Sequence, residues 1–191
     1  MISQETDSNG RYFLDWDSSL TFYSDLVTSY PYIVRERNNF GSTEQGESLY
    51  ALHMSYTYMS SVDSIGLTDT TEYKTDSEKP SIIIVGGHNA NSMLAHTYIF
   101  ALISKLIHGF HNNDPQIVNL LKLRHVWFVP YLNLDSYKYI QSYAGNVADL
   151  NDLLKNRKVI SNCSDLQTGV NLMNNYEFRW ATDNFGSSDS G

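Results

Sequence analysis

The chain has 191 residues, a hydrophobic content of 41% and a formal net charge of -8 at pH 7. This length and apolar content are sufficient for a globular core, and the negative charge argues against nucleic acid or an anionic membrane surface as a partner. No apolar run reaches the ~18 residues that a membrane-spanning helix requires, and the first residues, MISQETDSNG, lack the basic and apolar segments of a signal peptide.

A polar arm and a helix are the first elements predicted in chain order. Residues 1–11 are polar and indicate a loosely held N-terminal arm. Apolar residues recur at helical spacing across Ser18–Tyr30, which predicts the first helix. Asp17 or Ser18 is a suitable N-cap, and Pro31 follows the expected end of the helix.

An antiparallel strand pair and a long polar insertion come next. Ile33–Arg37 and Ser48–Met54 have strand character, and the turn residues Gly41–Gly46 lie between them. Residues 55–80 are rich in Ser, Thr, Tyr and Asp, which predicts a long polar insertion. Such a segment is either a disordered surface loop or a contact arm. As a contact arm, its anchors would be Tyr56, Tyr58 and Met59.

One short stretch organises the rest of the prediction. Ile82–Val85 has no polar face, as expected of a strand that is covered on both sides. The pair Gly86-Gly87 then allows a sharp turn, and Asn89 and Asn91 are suitable N-caps for the helix that follows. Ligands of α/β sheets bind at the carboxyl ends of strands. This turn is therefore the place where a site is expected.

Alternating helices and strands are predicted in the second half of the chain. Ser92–Ile107 has a broad apolar face and ends before Gly109, and Asp114-Pro115 opens a second helix that runs to Leu121. His125–Pro130 is an apolar strand, which completes a crossover between parallel strands. A partly helical excursion, a short helix and a loop are predicted at Asn133–Ser142, Ala148–Lys155 and Gly169–Trp180. The expected fold class is α/β, with a mixed sheet flanked by helices.

Three isolated residues have simple interpretations. The single cysteine, Cys163, excludes an internal disulfide. Asn162 opens a triplet that fits the N-glycosylation pattern. His96 is expected on the solvent side of its helix.

Several strings, in this order along the chain, resemble the zinc carboxypeptidases of the funnelin type, the pancreatic-carboxypeptidase family. They are Tyr30–Val34, Gly41–Leu52, Lys79–Asn91, Asp114-Pro115, Trp127–Tyr137 and Gly169–Tyr176, with Trp180 after them. The resemblance runs from about Tyr12 to the end. It implies that residues 12–191 are a partial carboxypeptidase-like domain, the N-terminal portion of the family fold, with the insertion at 55–80.

The resemblance implies a zinc ion held by a His and a Glu in the turn after the strand and by a second His much later. Aligned on Gly86-Gly87-His88, the first two ligand positions are occupied by Asn89 and Ser92. With a register one residue earlier, His88 is a residual ligand and Asn91 replaces its carboxylate partner. Amides and hydroxyls are poor zinc ligands beside imidazole and carboxylate. The chain is therefore expected to have no cofactor, and in particular no zinc.

By the same resemblance, the residues that act on the substrate are also replaced. Leu154 occupies the position of the oxyanion-stabilising Arg, and Met173 and Asn174 occupy those of the Asn-Arg pair that binds a peptide's terminal carboxylate. Asn cannot reproduce a bidentate Arg contact. The chain ends at Gly191, before the family's third ligand His, its specificity-pocket Tyr and its general-base Glu. No catalytic residue is expected to be intact, which is the pattern of a pseudoenzyme.

Three functions remain open at this stage. The first is a catalytically inactive carboxypeptidase-like domain that acts as a structural or interaction subunit of a larger assembly. The second is the N-terminal part of an active zinc metallocarboxypeptidase whose remaining site residues lie outside this chain. The third is a module that binds a peptide end or another small ligand in the old cleft.

Proteins are the expected partners. In the resembled fold the neighbour of strand Ile82–Val85 belongs to the C-terminal half, so this strand would have an unpaired edge. Unpaired edges invite association, and other chains or a second copy are expected at this edge and at the insertion 55–80. The resemblance implies a secreted or extracellular protein, but without a signal peptide in the sequence as given no compartment is assigned.

Overall fold

A computed structural model of the chain describes residues 16–56, 76–142, 155–158 and 169–176. The helices are α1 (Trp16–Ser29), α2 (Met93–His111), α3 (Pro115–Leu123) and α4 (Leu134–Ser142). The strands are β1 (Val34–Ser42), β2 (Ser48–Met54), β3 (Ser81–Val85) and β4 (His125–Val129), and short 3-10 helices lie at Asp76–Glu78 and Leu172–Asn174. Among the described helices, none combines the length and the apolar character needed to cross a membrane.

The four strands form one mixed sheet in the order β1-β2-β4-β3. β2 and β4 run antiparallel, and the paired residues are Leu52 and Phe128, His53 and Trp127, and Met54 and Val126. β3 and β4 run parallel, because backbone partners advance together along them: the amide of His125 bonds to the carbonyl of Pro80, and that of Leu132 bonds to Gly86. This confirms the predicted α/β fold, with a mixed sheet flanked by helices.

Two compact units divide the chain. The first takes its described residues from Met1–Asn38, Ala51–Ile84 and Tyr98–Val129, and the second takes them from Asn39–Tyr50, Val85–Thr97 and Pro130–Gly191. The core of the first unit includes the fully buried side chains of Tyr23, Ile33, Leu52, Ile103, Phe110, Leu121, Val126 and Phe128. The turn after β3, where the site is expected, belongs to the second unit.

Helix α1 begins earlier than its sequence signals predict. It starts at Trp16, so Asp17 and Ser18 lie in its first turn and neither is the N-cap. Trp16 is buried, and packing of this large side chain stabilises a helical turn that local capping signals do not require. Further along, Tyr23 packs against Phe100 with ring centroids 5.7 Å apart. The predicted end before Pro31 is confirmed, since α1 ends at Ser29.

Strands β1 and β2 form the predicted hairpin. β2 has the predicted bounds, whereas β1 extends past the predicted strand Ile33–Arg37 to Ser42. The turn is closed by the Thr43 amide bonding to the Glu47 carbonyl at 2.8 Å and by the Gly46 amide bonding to the Thr43 carbonyl at 3.0 Å. Neighbouring strands joined by so short a turn run antiparallel.

Helix α2 differs from its prediction at both ends. It begins at Met93, so Ser92, rather than Asn89 or Asn91, directly precedes it. It continues through Gly109 to His111, although Gly109 was expected to end it. A Cβ at position 109 would lie 2.7 Å from the Ile117 side chain of α3. The glycine therefore allows α3 to approach α2 closely and does not terminate the helix.

Helix α3 confirms its predicted start. Asp114 is the N-cap, and its Oδ1 accepts hydrogen bonds from the amides of Gln116 at 2.9 Å and Ile117 at 3.5 Å. Pro115 takes the first helical position, where its missing N–H costs no hydrogen bond.

The described ends of the predicted insertion 55–80 belong to the first unit and are buried in it. Tyr56 is buried and packs against Phe110, with ring centroids 5.2 Å apart. Lys79 is also buried and donates to the Tyr56 carbonyl at 2.6 Å and to Ser55 Oγ at 3.1 Å. Tyr56 is therefore a core residue and not an anchor for a partner, while Tyr58 and Met59 lie outside the described residues.

Strand β3 occupies an edge of the sheet and not a covered interior position. Its only neighbour in the described sheet is β4. Ile82 is 39% exposed, Ile83 65% and Val85 37%. The prediction that this strand is covered on both sides is therefore wrong for the described part of the chain, while the predicted unpaired edge is observed there.

The C-terminal predictions are only partly within the described residues. Asn133–Ser142, expected to be partly helical, contains the regular helix α4. The predicted helix Ala148–Lys155 lies outside the described residues except for Lys155, which forms an isolated antiparallel bridge with Asn171. The polar arm at 1–11, Leu154 and Asn162 also lie outside the described residues.

Candidate functional site

The turn that follows β3 is held in place by backbone hydrogen bonds within the second unit. The amide of Leu132 donates to the Gly86 carbonyl at 3.1 Å, and the amide of Asn133 donates to the Gly87 carbonyl at 2.9 Å. The Asn133 side chain is buried and donates to the carbonyl of His88 at 3.1 Å. Asn133 thus donates to two successive carbonyls of the turn, those of Gly87 and His88.

Gly87 is required by both its backbone conformation and its surroundings. Its φ is +70°, in the left-handed region that side chains disfavour. A Cβ there would lie 2.4 Å from Cε1 of His96 and 2.9 Å from the carbonyl oxygen of Pro130. No other residue fits without displacing backbone, so Gly87 fixes the path of the turn.

His96, expected on the surface, is a buried structural residue. Its side chain is only 3% exposed, stacks on Tyr131 with centroids 4.5 Å apart, and packs against Tyr137. Nδ1 lies 2.5 Å from the Pro130 carbonyl oxygen; since a carbonyl only accepts, Nδ1 carries the proton. Nε2 is buried without a hydrogen-bond partner in the described part of the chain. Burial lowers the pKa of His96 to about 4, partly opposed by the bond to Pro130.

His88, the residual ligand candidate, contacts a tyrosine. Its Nε2 is hydrogen-bonded to the Tyr176 hydroxyl, and the two ring centroids are 5.7 Å apart. Burial lowers the pKa of the half-buried His88 imidazole, which favours its neutral form. Sequence reasoning identified Tyr176 only as part of a family-like string. No spacing in the sequence connects it with a residue 88 positions earlier.

Asn89, at the expected ligand position, faces a second predicted position. Its Nδ2 donates to Sδ of Met173 at 3.5 Å, a weak bond because sulfur is a poor acceptor. Its Oδ1 is buried without a partner among the described residues. Ser92 contacts the same turn through its amide, which donates to the Asn89 carbonyl at 3.0 Å. The structure thus brings together Asn89 and Met173, the two positions that the sequence resemblance assigned to the family's first zinc ligand and to the Asn of its carboxylate-binding pair.

Residue Met173 is presented by a short helix whose start is well defined. The Oδ1 of Asn171 accepts from the Met173 amide at 3.0 Å, which caps the 3-10 helix. Asn171 is also bridged to Lys155, and the Lys155 carbonyl accepts from Asn133 Nδ2 at 3.2 Å and from Ser136 Oγ at 2.5 Å. The segment that carries Met173 is therefore held through Asn171 and Lys155, and the Lys155 carbonyl is fixed by the buried Asn133 and Ser136 side chains. Asn174 belongs to the same 3-10 helix.

The donors around this turn do not match a zinc site. His88 supplies one imidazole, and Asn89 and Ser92 supply an amide and a hydroxyl. Zinc in proteins is held by three or four Cys, His, Asp or Glu ligands. The described residues contain no group of three or more such side chains placed to share a metal ion. The described part of the turn therefore lacks the donor set that the family's zinc requires.

Comparison with known proteins shows the family and the fold. Residues 20–191 match the model of a family described as zinc carboxypeptidase. No curated protein matches the sequence significantly.

Three solved structures share the fold. Thrombin-activatable fibrinolysis inhibitor has 19% identity and a TM-score of 0.64, over 86% of this chain and 34% of that one. The bovine form, bound to tick carboxypeptidase inhibitor, has 17% identity and a TM-score of 0.61, over 94% of this chain and 47% of that one. Carboxypeptidase A from Helicoverpa armigera has 16% identity and a TM-score of 0.60, over 89% and 35%. The chain therefore spans between about a third and a half of the length of these neighbours, and it belongs to the zinc carboxypeptidase family.

Proposed function

We propose that this chain is a catalytically inactive carboxypeptidase-like domain that acts as a structural or interaction subunit of a larger assembly. The observation that carries the proposal is the contact between Asn89 and Met173. By the resemblance to the family, these positions would hold a zinc ligand and a substrate-binding Asn. Here a neutral amide contacts a thioether. Neither group carries a charge, and neither is a usual zinc ligand.

The neighbouring groups support the same conclusion. Ser92 replaces the carboxylate ligand, and a hydroxyl does not neutralise a divalent cation as a carboxylate does. The imidazole of His88 is engaged with Tyr176. A single imidazole among neutral oxygens is a weak site for a metal ion. Each ~1.4 kcal/mol of binding free energy that is lost with a ligand lowers the affinity tenfold.

Exposed apolar residues at the sheet edge support an interaction role. Ile82 and Ile83 are large, apolar and exposed on a strand that has one neighbour in the described sheet. The strand Ser81–Val85 contains no charged residue and no proline, the features that usually protect an edge. We propose that another protein chain, or a second copy of this one, covers this edge.

The zinc content of the purified protein tests the proposed inactivity. We expect well under one zinc per chain after dialysis against metal-free buffer, and no release of C-terminal amino acids from peptides. Metal analysis with about one zinc retained per chain would contradict the proposal and favour the N-terminal part of an active enzyme. A His88→Ala variant is the matched control, because any zinc bound through the one imidazole of this turn would be lost in it.

A further inference from the structure

The two edge strands of the described sheet differ in how they are protected against pairing. β1 carries Arg35, Glu36 and Arg37, and charged side chains on an edge strand oppose the addition of another strand. β3, the other edge, consists of one serine and four branched aliphatic residues, with neither a charge nor a proline. β3 is therefore the edge that lacks protection against pairing with a further strand.

Three residues of β3, Ser81, Ile83 and Val85, direct their backbone groups away from β4. The Pro80 carbonyl accepts from the His125 amide of β4 at 3.1 Å, so Pro80 faces that neighbour. Backbone polar groups alternate between the two sides of a strand, so every second residue after Pro80 also faces β4 and the three residues between them face outward. No other strand of the described sheet lies beside β3 to pair with these outward groups.

The charge of the chain restricts which strand fits this edge. The chain has a formal net charge of -8, so most surfaces of a second copy would bring like charges together. β3 is an exception, because it contributes no charged side chain to a contact. Its exposed side chains include Ile82, Ile83 and Val85, and apolar side chains of this kind gain by covering one another. A second β3 therefore meets the requirements of this edge.

One register of β3 against its own copy pairs every outward residue. Antiparallel strands exchange two hydrogen bonds at alternate residue pairs, and a two-fold axis sets the same patch against itself. With Ile83 opposite Ile83 of the copy, Ser81 lies opposite Val85 at both ends, and all three outward residues form hydrogen-bonded pairs. A shift by two residues leaves one of the three without a partner in β3.

We propose that β3 pairs with β3 of a second copy as antiparallel strands, about a two-fold axis at Ile83. The proposal rests on the interaction role given above to this edge and names its partner. A strand of five residues spans only ~17 Å, so the contact is smaller than the ~1,200 Å² of stable interfaces. We therefore expect a dissociation constant on the order of 10 µM.

Sedimentation velocity of the full chain, from about 1 to 100 µM, tests the pairing. We expect a shift from monomer to dimer over this range. Ile83→Lys should raise the dissociation constant by about tenfold or more. Ile83→Pro should do the same, because it removes only the outward amide, and an edge strand accepts proline where its N–H would face solvent. Phe40→Lys, at an exposed apolar residue of β1, is the matched control and should change it by less than about threefold.

Cysteine cross-linking tests the register. In a Cys163→Ser background, which removes the single cysteine, Ile83→Cys sets two thiols opposite each other on Cα atoms ~5.5 Å apart, a distance that a disulfide spans. Ser81→Cys is the control, because Ser81 and its copy lie four residues apart along the strands, ~13 Å, which is too far for a disulfide. We expect mild oxidation to give a covalent dimer from Ile83→Cys and almost none from Ser81→Cys.

The outcomes separate this proposal from the one on which it rests. A wild-type monomer at 100 µM, association that Ile83→Lys and Ile83→Pro leave unchanged, or equal cross-linking of the two cysteine variants would overturn the pairing of β3 with its copy. None of these results would alter the zinc content, by which the proposed inactivity is tested. Retention of zinc by a chain that still forms the dimer centred on Ile83 would instead overturn the inactivity alone.

Discussion

Acidification should destabilise this fold through His96. The imidazole is buried, its Nδ1 proton is committed to the Pro130 carbonyl, and Nε2 has no acceptor within the described residues. A second proton would place a charge between Tyr131 and Tyr137, and neither of these rings supplies a counter-charge. The pKa of His96 is accordingly lowered from 6.5 to about 4 in the folded chain.

The direction and size of the effect follow from this difference in pKa. Above pH 6.5 the imidazole is neutral in both the folded and the unfolded chain, so the folding free energy does not depend on its titration. Between 6.5 and about 4 the unfolded chain binds the proton and the folded chain does not, so stability is lost as the pH falls. Each pH unit in this window is worth ~1.4 kcal/mol. The total loss attributable to His96 is therefore about 3 kcal/mol.

Urea unfolding at a series of pH values, for the wild type and for His96→Asn, measures this loss. Asparagine retains an N–H that can reach the Pro130 carbonyl but does not titrate. Carboxylates that protonate in the same range contribute equally to both proteins and cancel in the comparison. We expect the wild type to lose about 3 kcal/mol more than the variant between about pH 6.5 and pH 4. Parallel pH profiles for the two proteins would refute the assignment of the proton-linked instability to His96.

Four further outcomes are expected. Asn89→His combined with Ser92→Glu should not produce release of C-terminal amino acids from peptides, because by the resemblance Leu154, Met173 and Asn174 still occupy the positions of the oxyanion Arg and the carboxylate-binding pair. Measurable hydrolysis would show that these positions are misassigned. Gly87→Ala should lower the free energy of unfolding by about 2 kcal/mol or more, because it combines a positive φ with a clash, and a stable variant would contradict that geometry. Asp114→Ala should cost ~1 kcal/mol in urea unfolding through loss of the α3 N-cap. Sedimentation at micromolar concentration should show that the chain associates and that Ile83→Lys reduces this association. A stable wild-type monomer would contradict self-association at the edge of β3.

Local signals predicted well wherever the deciding interactions are local. Asp114 caps α3 by accepting from the amides of Gln116 and Ile117, and the alternation in Ser48–Met54 predicted β2 with its observed bounds. The Gly-Gly turn after β3 was likewise expected. For Asp114 the partners lie two and three residues away, so the sequence contains the interaction itself. For β2 and the Gly-Gly turn, the alternation of side chains and the glycines are local signals of the backbone conformation, although the hydrogen-bond partners lie far along the chain.

The interpretations that failed concern partners far away in the chain. Gly109 has the chemistry of a helix terminator, but α2 continues through it to His111, and the glycine instead leaves room for the Ile117 side chain. His96 resembles a surface residue, but Pro130 and Tyr131 enclose it. The apolar run of β3 resembles a covered strand, yet the sheet order leaves it at an edge.

The sequence by itself determined the family, the α/β class and the residue types at the expected zinc and substrate positions, because these depend on local pattern and on motif order along the chain. Only the tertiary structure decided which of those positions meet. The contact of Asn89 with Met173 and that of His88 with Tyr176 join residues more than 80 positions apart. Such contacts are set by the packing of whole elements, which no local pattern of side chains specifies.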